Sequence, residues 1–151
     1  MSRIDFNNGV SIGIESVDFE RQQLHDRYSI WIPSEFVKDA AMLSNYTYWY
    51  SRENSPLSIA IRYTQVSSGD DRKKMISHYF SRGGGSQPVQ AENLVSYRDT
   101  IAKGQQMSVY SLRFSIEVDN GVLFGCFNCA GDDVENWKPI VIAMLEAVVK
   151  D

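Results

Sequence analysis

Long apolar runs, surplus positive charge and cysteine are all scarce in this chain, and each shortage removes a class of protein. No stretch approaches the roughly 18–20 apolar residues that a membrane-spanning helix needs. The opening MSRIDFNNG has neither the apolar core nor the small-residue cleavage site of a secretory signal, so the chain reads as cytoplasmic. Lys and Arg number 15 against 19 Asp and Glu, a formal net charge of −4. That is the wrong sign for a surface that neutralises phosphates, so nucleic acid is not an expected partner. An acidic balance instead suits a basic partner. The two cysteines and two histidines have no ligand-like spacing to one another, so neither a metal nor a cofactor is expected.

What is present is ordinary globular material: 151 residues, 43% hydrophobic and 23% charged. That length fits one domain over residues 1–151 and can bury a core without staples. Strand signals dominate. Tyr110, Leu112, Phe114, Ile116 and Val118 alternate with Ser111, Arg113, Ser115 and Glu117, the period of a half-buried strand. Asp119-Asn120-Gly121 supplies a turn, and VLFGCFNC follows as a second apolar strand, so the two predict a long antiparallel hairpin. Upstream, NYTYWYSR (Asn45 to Arg52) and LSIAIRYTQ (from Leu57) predict another pair across the turn cluster Glu53-Asn54-Ser55-Pro56. YSIWIP reads as a short strand closed by Pro33, with VSIGI from the N-terminal region placed beside it. Leu94 to Gly104 reads as a strand leading into the long hairpin.

Two helices stand out. Trp137, Ile140, Val141, Met144, Leu145 and Val148 are spaced for one helical face, with Pro139 expected in the first turn. Asp132, Asp133 and Glu135 suit the positive end of that helix's dipole. The second runs from about Asp70 to Arg82, with Met75, Ile76, Tyr79 and Phe80 inward and Gly83-Gly84-Gly85 closing it. Arg72-Lys73-Lys74 at its start reads as a solvated face, and EFVKDAAML reads as a third, short helix. Antiparallel strands in runs, with helices at intervals, mean an α+β fold in which an antiparallel β-sheet is flanked by helices.

GCFNCAG holds both cysteines as C-x-x-C. A redox pair of that spacing sits at a helix N-terminus, where the dipole lowers a thiol pKa. Here it falls in a strand, where positions three apart point to opposite faces, so Cys126 and Cys129 are expected to diverge. His78 lies on a predicted helix with no nucleophile motif beside it, and His25 has no partner by spacing. The glycines after Arg82 follow a helix, the reverse of a phosphate loop. No catalytic residue is assigned. The aromatics remain. Tyr46, Tyr48 and Tyr50 share one strand face with Trp49 on the other, and Trp31 stands opposite Ile30 and Ile32. One face can belong to the core, leaving the rest as interface anchors, and these five are the candidate partner-binding residues.

The succession of a strand ending Ile32-Pro33, the pair around YTYWYS and SIAIRY, a helix, a long hairpin, and a last helix opening Trp137-Lys138-Pro139-Ile140 resembles the Mog/PsbP-like fold. The resemblance implies an α/β/α sandwich around an antiparallel sheet, and a protein that binds other proteins without catalysing a reaction. The leading expectation is therefore a non-enzymatic protein-binding module, adaptor or chaperone-like. Its partner would be another protein with a basic surface or an apolar segment. An antitoxin-like immunity protein that blocks a toxin, and a thiol oxidoreductase using the C-x-x-C, are the alternatives.

Overall fold

The computed structural model describes residues 6, 10–12, 15–24, 28–38, 47–52, 55–82, 90–92, 95–103 and 108–150. Its centre is the expected hairpin. Strands β10 (Ser108–Val118) and β11 (Gly121–Ala130) pair antiparallel along ten positions, from Val109 opposite Ala130 to Val118 opposite Gly121. The turn between them rests on Asn120, whose φ of 63° lies in the left-handed region that Asn enters at little cost. Three groups hold it in place. Val66 N–H and Tyr63 Oη donate to the Asn120 carbonyl at 2.8 and 3.4 Å, and Tyr28 Oη donates to that of Asp119 at 3.3 Å.

On either side the hairpin extends into a seven-stranded antiparallel sheet. Strand β7 (Ser58–Gln65) pairs with β11, then β6 (Thr47–Ser51), and the two-residue β5 (Val37–Lys38) ends that side. Beyond β10 lie β9 (Val95–Lys103) and the three-residue β8 (Gln90–Glu92). The register places Tyr110, Leu112, Phe114 and Ile116 on one face with Phe127, Leu123, Ile59, Ile61 and Tyr50. All of these are buried. The opposite face carries Ser111, Arg113, Ser115, Glu117, Phe124, Cys126 and Asn128.

Two layers cover the apolar face. Helix α2 (Val134–Glu146) buries Trp137, Ile140, Val141, Met144 and Leu145, with Trp137 6.0 Å from Phe127 between ring centroids. A three-stranded sheet joins it: β3 (Phe19–Leu24), β4 (Tyr28–Pro33) and β12 (Val149–Lys150) in the order β12-β4-β3. Its Tyr28 ring stacks on Tyr63 at 6.5 Å. A separate hairpin, β1 (Val10–Ile12) with β2 (Glu15–Val17), stands outside both sheets. On the other face lies α1 (Gly69–Arg82), packed over β10 and β11. Tyr79 sits 4.6 Å from the Phe124 ring and donates its hydroxyl to the Gly125 carbonyl at 2.6 Å. Gly125 has no substitute, since a Cβ there would run into the Ala60 carbonyl and the Phe114 ring.

Four expectations are corrected. VSIGI does not lie beside YSIWIP: Val10–Ile12 pairs with Glu15–Val17, and β4 takes β3 instead. β3 was hidden because four of its six residues are polar and only Phe19 and Leu24 are buried. EFVKDAAML is not helical where described, since Val37–Lys38 forms the edge strand against Tyr50 and Ser51; residues 39–46 lie outside the described residues. Pro139 is the sixth residue of α2, because a 3-10 turn at Gly131–Asp133 runs straight into the helix and starts it early. One helical hydrogen bond is thereby forfeited. Finally, Arg72 is no solvated side chain. It folds back so that Nε meets Glu117 Oε2 at 3.2 Å while Nη1 donates to the Val66 and Ser67 carbonyls at 3.1 and 2.9 Å. Its charge therefore serves the α1–β10 junction. Lys73 and Lys74 are exposed as expected, and the glycines from Gly83 lie outside the described residues.

Candidate partner-binding surface

Tyr50 leaves the candidate set. It is 1% exposed on the apolar face opposite Ile59, so its ring is core. Strand β6 puts Tyr48 in register with Ile61 and Trp49 in register with Ala60, and Tyr46 lies outside the described residues. Trp31 does not neighbour these residues in a sheet. It belongs to the three-stranded sheet, opposite Arg21, half-buried against the core. The strands that bear Trp31 and Trp49 are therefore not adjacent, which corrects their pairing as one site.

The row of the seven-stranded sheet that holds Trp49 has a physical character that sequence reading missed. α1 seats itself over β10 and β11 by its C-terminal end. Arg113 Nη2 donates to the Tyr79 carbonyl at 3.2 Å with its guanidinium 4.3 Å above the Tyr79 ring, and Arg98 Nη1 donates to the Phe80 carbonyl at 3.2 Å. Two cations at a helix C-terminus satisfy free carbonyls and oppose the dipole's negative end. Beside that seat, towards β6, the side chains of Ser58, Ala60, Thr64, Ser111, Cys126 and Asn128 are half-buried and Arg62 is exposed. A hydrogen-bonded ladder crosses them: Ser111 Oγ to Asn128 Oδ1 at 2.6 Å and Asn128 Nδ2 to Ser58 Oγ at 3.4 Å. The signal was present in the strand alternation, as Ser and Asn outward where Leu and Phe point inward.

The thiols diverge as the extended backbone requires. Cys129 is in the core at 1% exposure, while Cys126 stands on the opposite face, and both are free. Burial, and then the Asp133 carboxylate, push the Cys129 thiol up to about 12. Burial also raises Cys126, against the pull of Arg113. Neither is the low-pKa thiolate that exchange chemistry uses. Burial likewise raises the Tyr79 hydroxyl, against the neighbouring Arg113. His78 lies exposed on α1. Among the described residues no three metal-ligating side chains cluster, and no helix is long and apolar enough to cross a membrane.

At the far end of the sheet, Asp99 on β9 receives Tyr110 Oη at 3.0 Å and Lys138 Nζ from α2 at 2.6 Å, both on Oδ2. Burial alone would raise the Asp99 carboxyl, but Lys138 and Tyr110 together hold it below its ordinary value. Burial and the adjacent Asp99 charge push Tyr110 strongly upward, so it remains a phenol and a donor.

An antiparallel sheet with α1 on one face and α2 with a small sheet on the other is an α+β sandwich of the Mog/PsbP-like fold. Among solved structures, the chain is similar to the Ran-binding protein Mog1p of Saccharomyces cerevisiae. The match covers 88% of this chain and 95% of that one at a TM-score of 0.58 and 8% identity. A protein of Bacteroides thetaiotaomicron is similar over 82% of this chain and 45% of its own length, at a TM-score of 0.57 and 10% identity. A cyanobacterial PsbP from Synechocystis is similar over 95% of this chain and 98% of its own, at 0.44 and 9%. No family model matches the sequence, and no curated protein matches it.

Proposed function

We propose that this chain is a non-enzymatic protein-binding module, adaptor or chaperone-like, that takes its partner on the part of the seven-stranded sheet beside α1. The observation that carries the reading is the half-buried polar row over β7, β11 and β10, the Ser58–Asn128–Ser111 ladder, next to β6, whose Trp49 stands in register with Ala60. In this reading Trp49 supplies an aromatic anchor inside that polar surround, the usual anatomy of an interface. The charged side chain in this row is Arg62. An apolar segment flanked by a carboxylate therefore complements it better than a basic surface does. Trp31, on the three-stranded sheet, is a second anchor in this reading.

Support from fold similarity is limited to architecture: one protein of similar fold is a Ran-binding protein. The separated, high-pKa thiols give thiol exchange no support, and nothing specific favours a toxin-blocking role. The test is co-purification at native abundance followed by reconstitution from purified components. Wild-type chain is expected to hold one partner at fixed stoichiometry, and Trp49→Ala to lose it with its circular dichroism unchanged. A partner retained equally by Trp49→Ala and Trp31→Ala, or none at all, counts against the reading.

A further inference from the structure

We propose that Asn120 is a latent modification site: it loses its side-chain amide through a cyclic imide with Gly121, and only when the β10–β11 turn opens. This goes beyond the partner-binding reading and does not depend on it, since no residue of that surface takes part.

The first observation is that the fold requires a chemically labile pair. Asn120 has a φ of 63°, a conformation that suits Asn among residues with a side chain. Gly121 must follow, because a Cβ there would stand 2.6 Å from the Tyr63 ring and 2.8 Å from the Thr64 carbonyl oxygen. With no Cβ to crowd it, a glycine nitrogen can approach the side-chain carbonyl carbon of the residue before it. Asn120 is exposed, so water and solvent base reach it.

The chemistry is a substitution followed by hydrolysis. The Gly121 nitrogen gives its proton to solvent and bonds to Cγ of Asn120, and the Cγ–Nδ2 bond breaks to release ammonia. Water then opens the imide at either carbonyl carbon, leaving aspartate or isoaspartate. One water enters and one ammonia leaves, with no change of oxidation state.

The second observation is that the folded turn holds the two reacting atoms apart. In the left-handed region Cβ lies towards the residue's own carbonyl oxygen, so the Gly121 nitrogen faces away from the side chain. Ring closure needs rotation about the Asn120 Cα–C bond, and that rotation carries the carbonyl with it. The carbonyl is held, since Val66 N–H donates to it at 2.8 Å and Tyr63 Oη at 3.4 Å. Tyr28 Oη fixes the preceding carbonyl, that of Asp119, at 3.3 Å. Gly121 itself stands opposite Val118 as the pair that closes the hairpin. Imide formation requires these contacts to break first, so its rate follows the population of the opened turn. The product then cannot return unchanged. Isoaspartate adds a main-chain carbon to the short turn that sets the register of β10 against β11, and Asn120 becomes a covalent record of turn opening.

Peptide mapping of the whole chain after incubation at mildly alkaline pH tests the proposal, with mass spectrometry resolving amide from acid. In the folded wild type, conversion at Asn120 is expected to run at least about tenfold slower than in the same chain unfolded in denaturant. Asn8-Gly9, the other Asn-Gly pair of the sequence, calibrates the unfolded rate. Removing both hydroxyl donors, Tyr28→Phe with Tyr63→Phe, should speed conversion in the folded chain and quicken hydrogen exchange at the Val66 amide in parallel. Leu145→Ala, which weakens the α2 contact, should leave the rate unchanged under strongly native conditions. A folded wild type that converts as fast as the unfolded chain overturns the proposal. So does a doubly substituted tyrosine variant in which Asn120 converts at the wild-type rate. If Leu145→Ala accelerates conversion as much as that variant does, global unfolding is the route and the turn is not the gate.

Discussion

Asp99 shows how much one side chain does here: it anchors α2 to β9 through Lys138 and gives the buried Tyr110 hydroxyl its acceptor. Because its folded pKa lies below the ordinary 3.8, the carboxylate contributes stability that is fully present at neutral pH and is lost as the pH falls through the folded value, in the acid range below about 4. Lys138→Met removes the principal cation, so the folded pKa rises and acid unfolding should begin at a higher pH. At neutral pH the loss should be small, about 0.2–1 kcal/mol, since both partners are about a third exposed. Acid titration followed by tryptophan fluorescence checks this, with Lys73→Met on the exposed face of α1 as the control. An unmoved acid midpoint in Lys138→Met would show that Tyr110 alone holds the carboxylate. None of this triad was visible in sequence, because Asp99, Tyr110 and Lys138 come from three elements whose register only the fold supplies.

Elements that carry one strong period were legible, and those whose burial is divided were not. β10 alternates cleanly because one face is core and the other is only partly covered, so its hairpin partner followed from the residues. α2 declares its buried stripe for the same reason. β3 has a polar middle, since it is an edge strand of the small sheet, and no period announces it. The aromatics of β6 were legible as a strand but not as a site, because alternation cannot say which face the helices cover. α1 depends on tertiary partners in a similar way. Among its described side chains only Phe80 is fully buried, so its C-terminal turn relies on Arg113 and Arg98. Arg113→Met would remove a charged hydrogen bond and a cation–π contact, at a cost of about 1–3 kcal/mol. Amide exchange should quicken in the last turn of α1 while the central amides of β10 stay slow. Equal acceleration in both would mean that Arg113 supports the sheet and not the helix seat.

For the whole molecule, the decisive feature is that the central sheet has one strongly apolar face, shared between α2 and the three-stranded sheet. α2 contributes five buried side chains to that contact, and β12 follows it to close the edge of β4. Removing the chain from Asp132 onward would uncover Phe127, Leu112 and Tyr110 and reopen the β4 edge, leaving both an apolar surface and an unpaired strand. The truncated chain is expected to aggregate, or to keep its far-ultraviolet signal while binding a hydrophobic dye and losing cooperative unfolding. The milder Leu145→Ala should lower stability by about 2–5 kcal/mol with little change in denaturant slope, because it leaves a cavity inside an otherwise intact contact. If the truncated chain instead stayed cooperatively folded and unaggregated, α2 would be a detachable element able to serve a partner. The proposed Trp49 surface would then have a competitor on the opposite face. The packing argues for a structural helix, since Met144 and Leu145 are each 1% exposed and Trp137 sits between Phe36 and Phe127. A helix buried on that scale cannot be lent out without dissolving the core that holds the sheet's other layer.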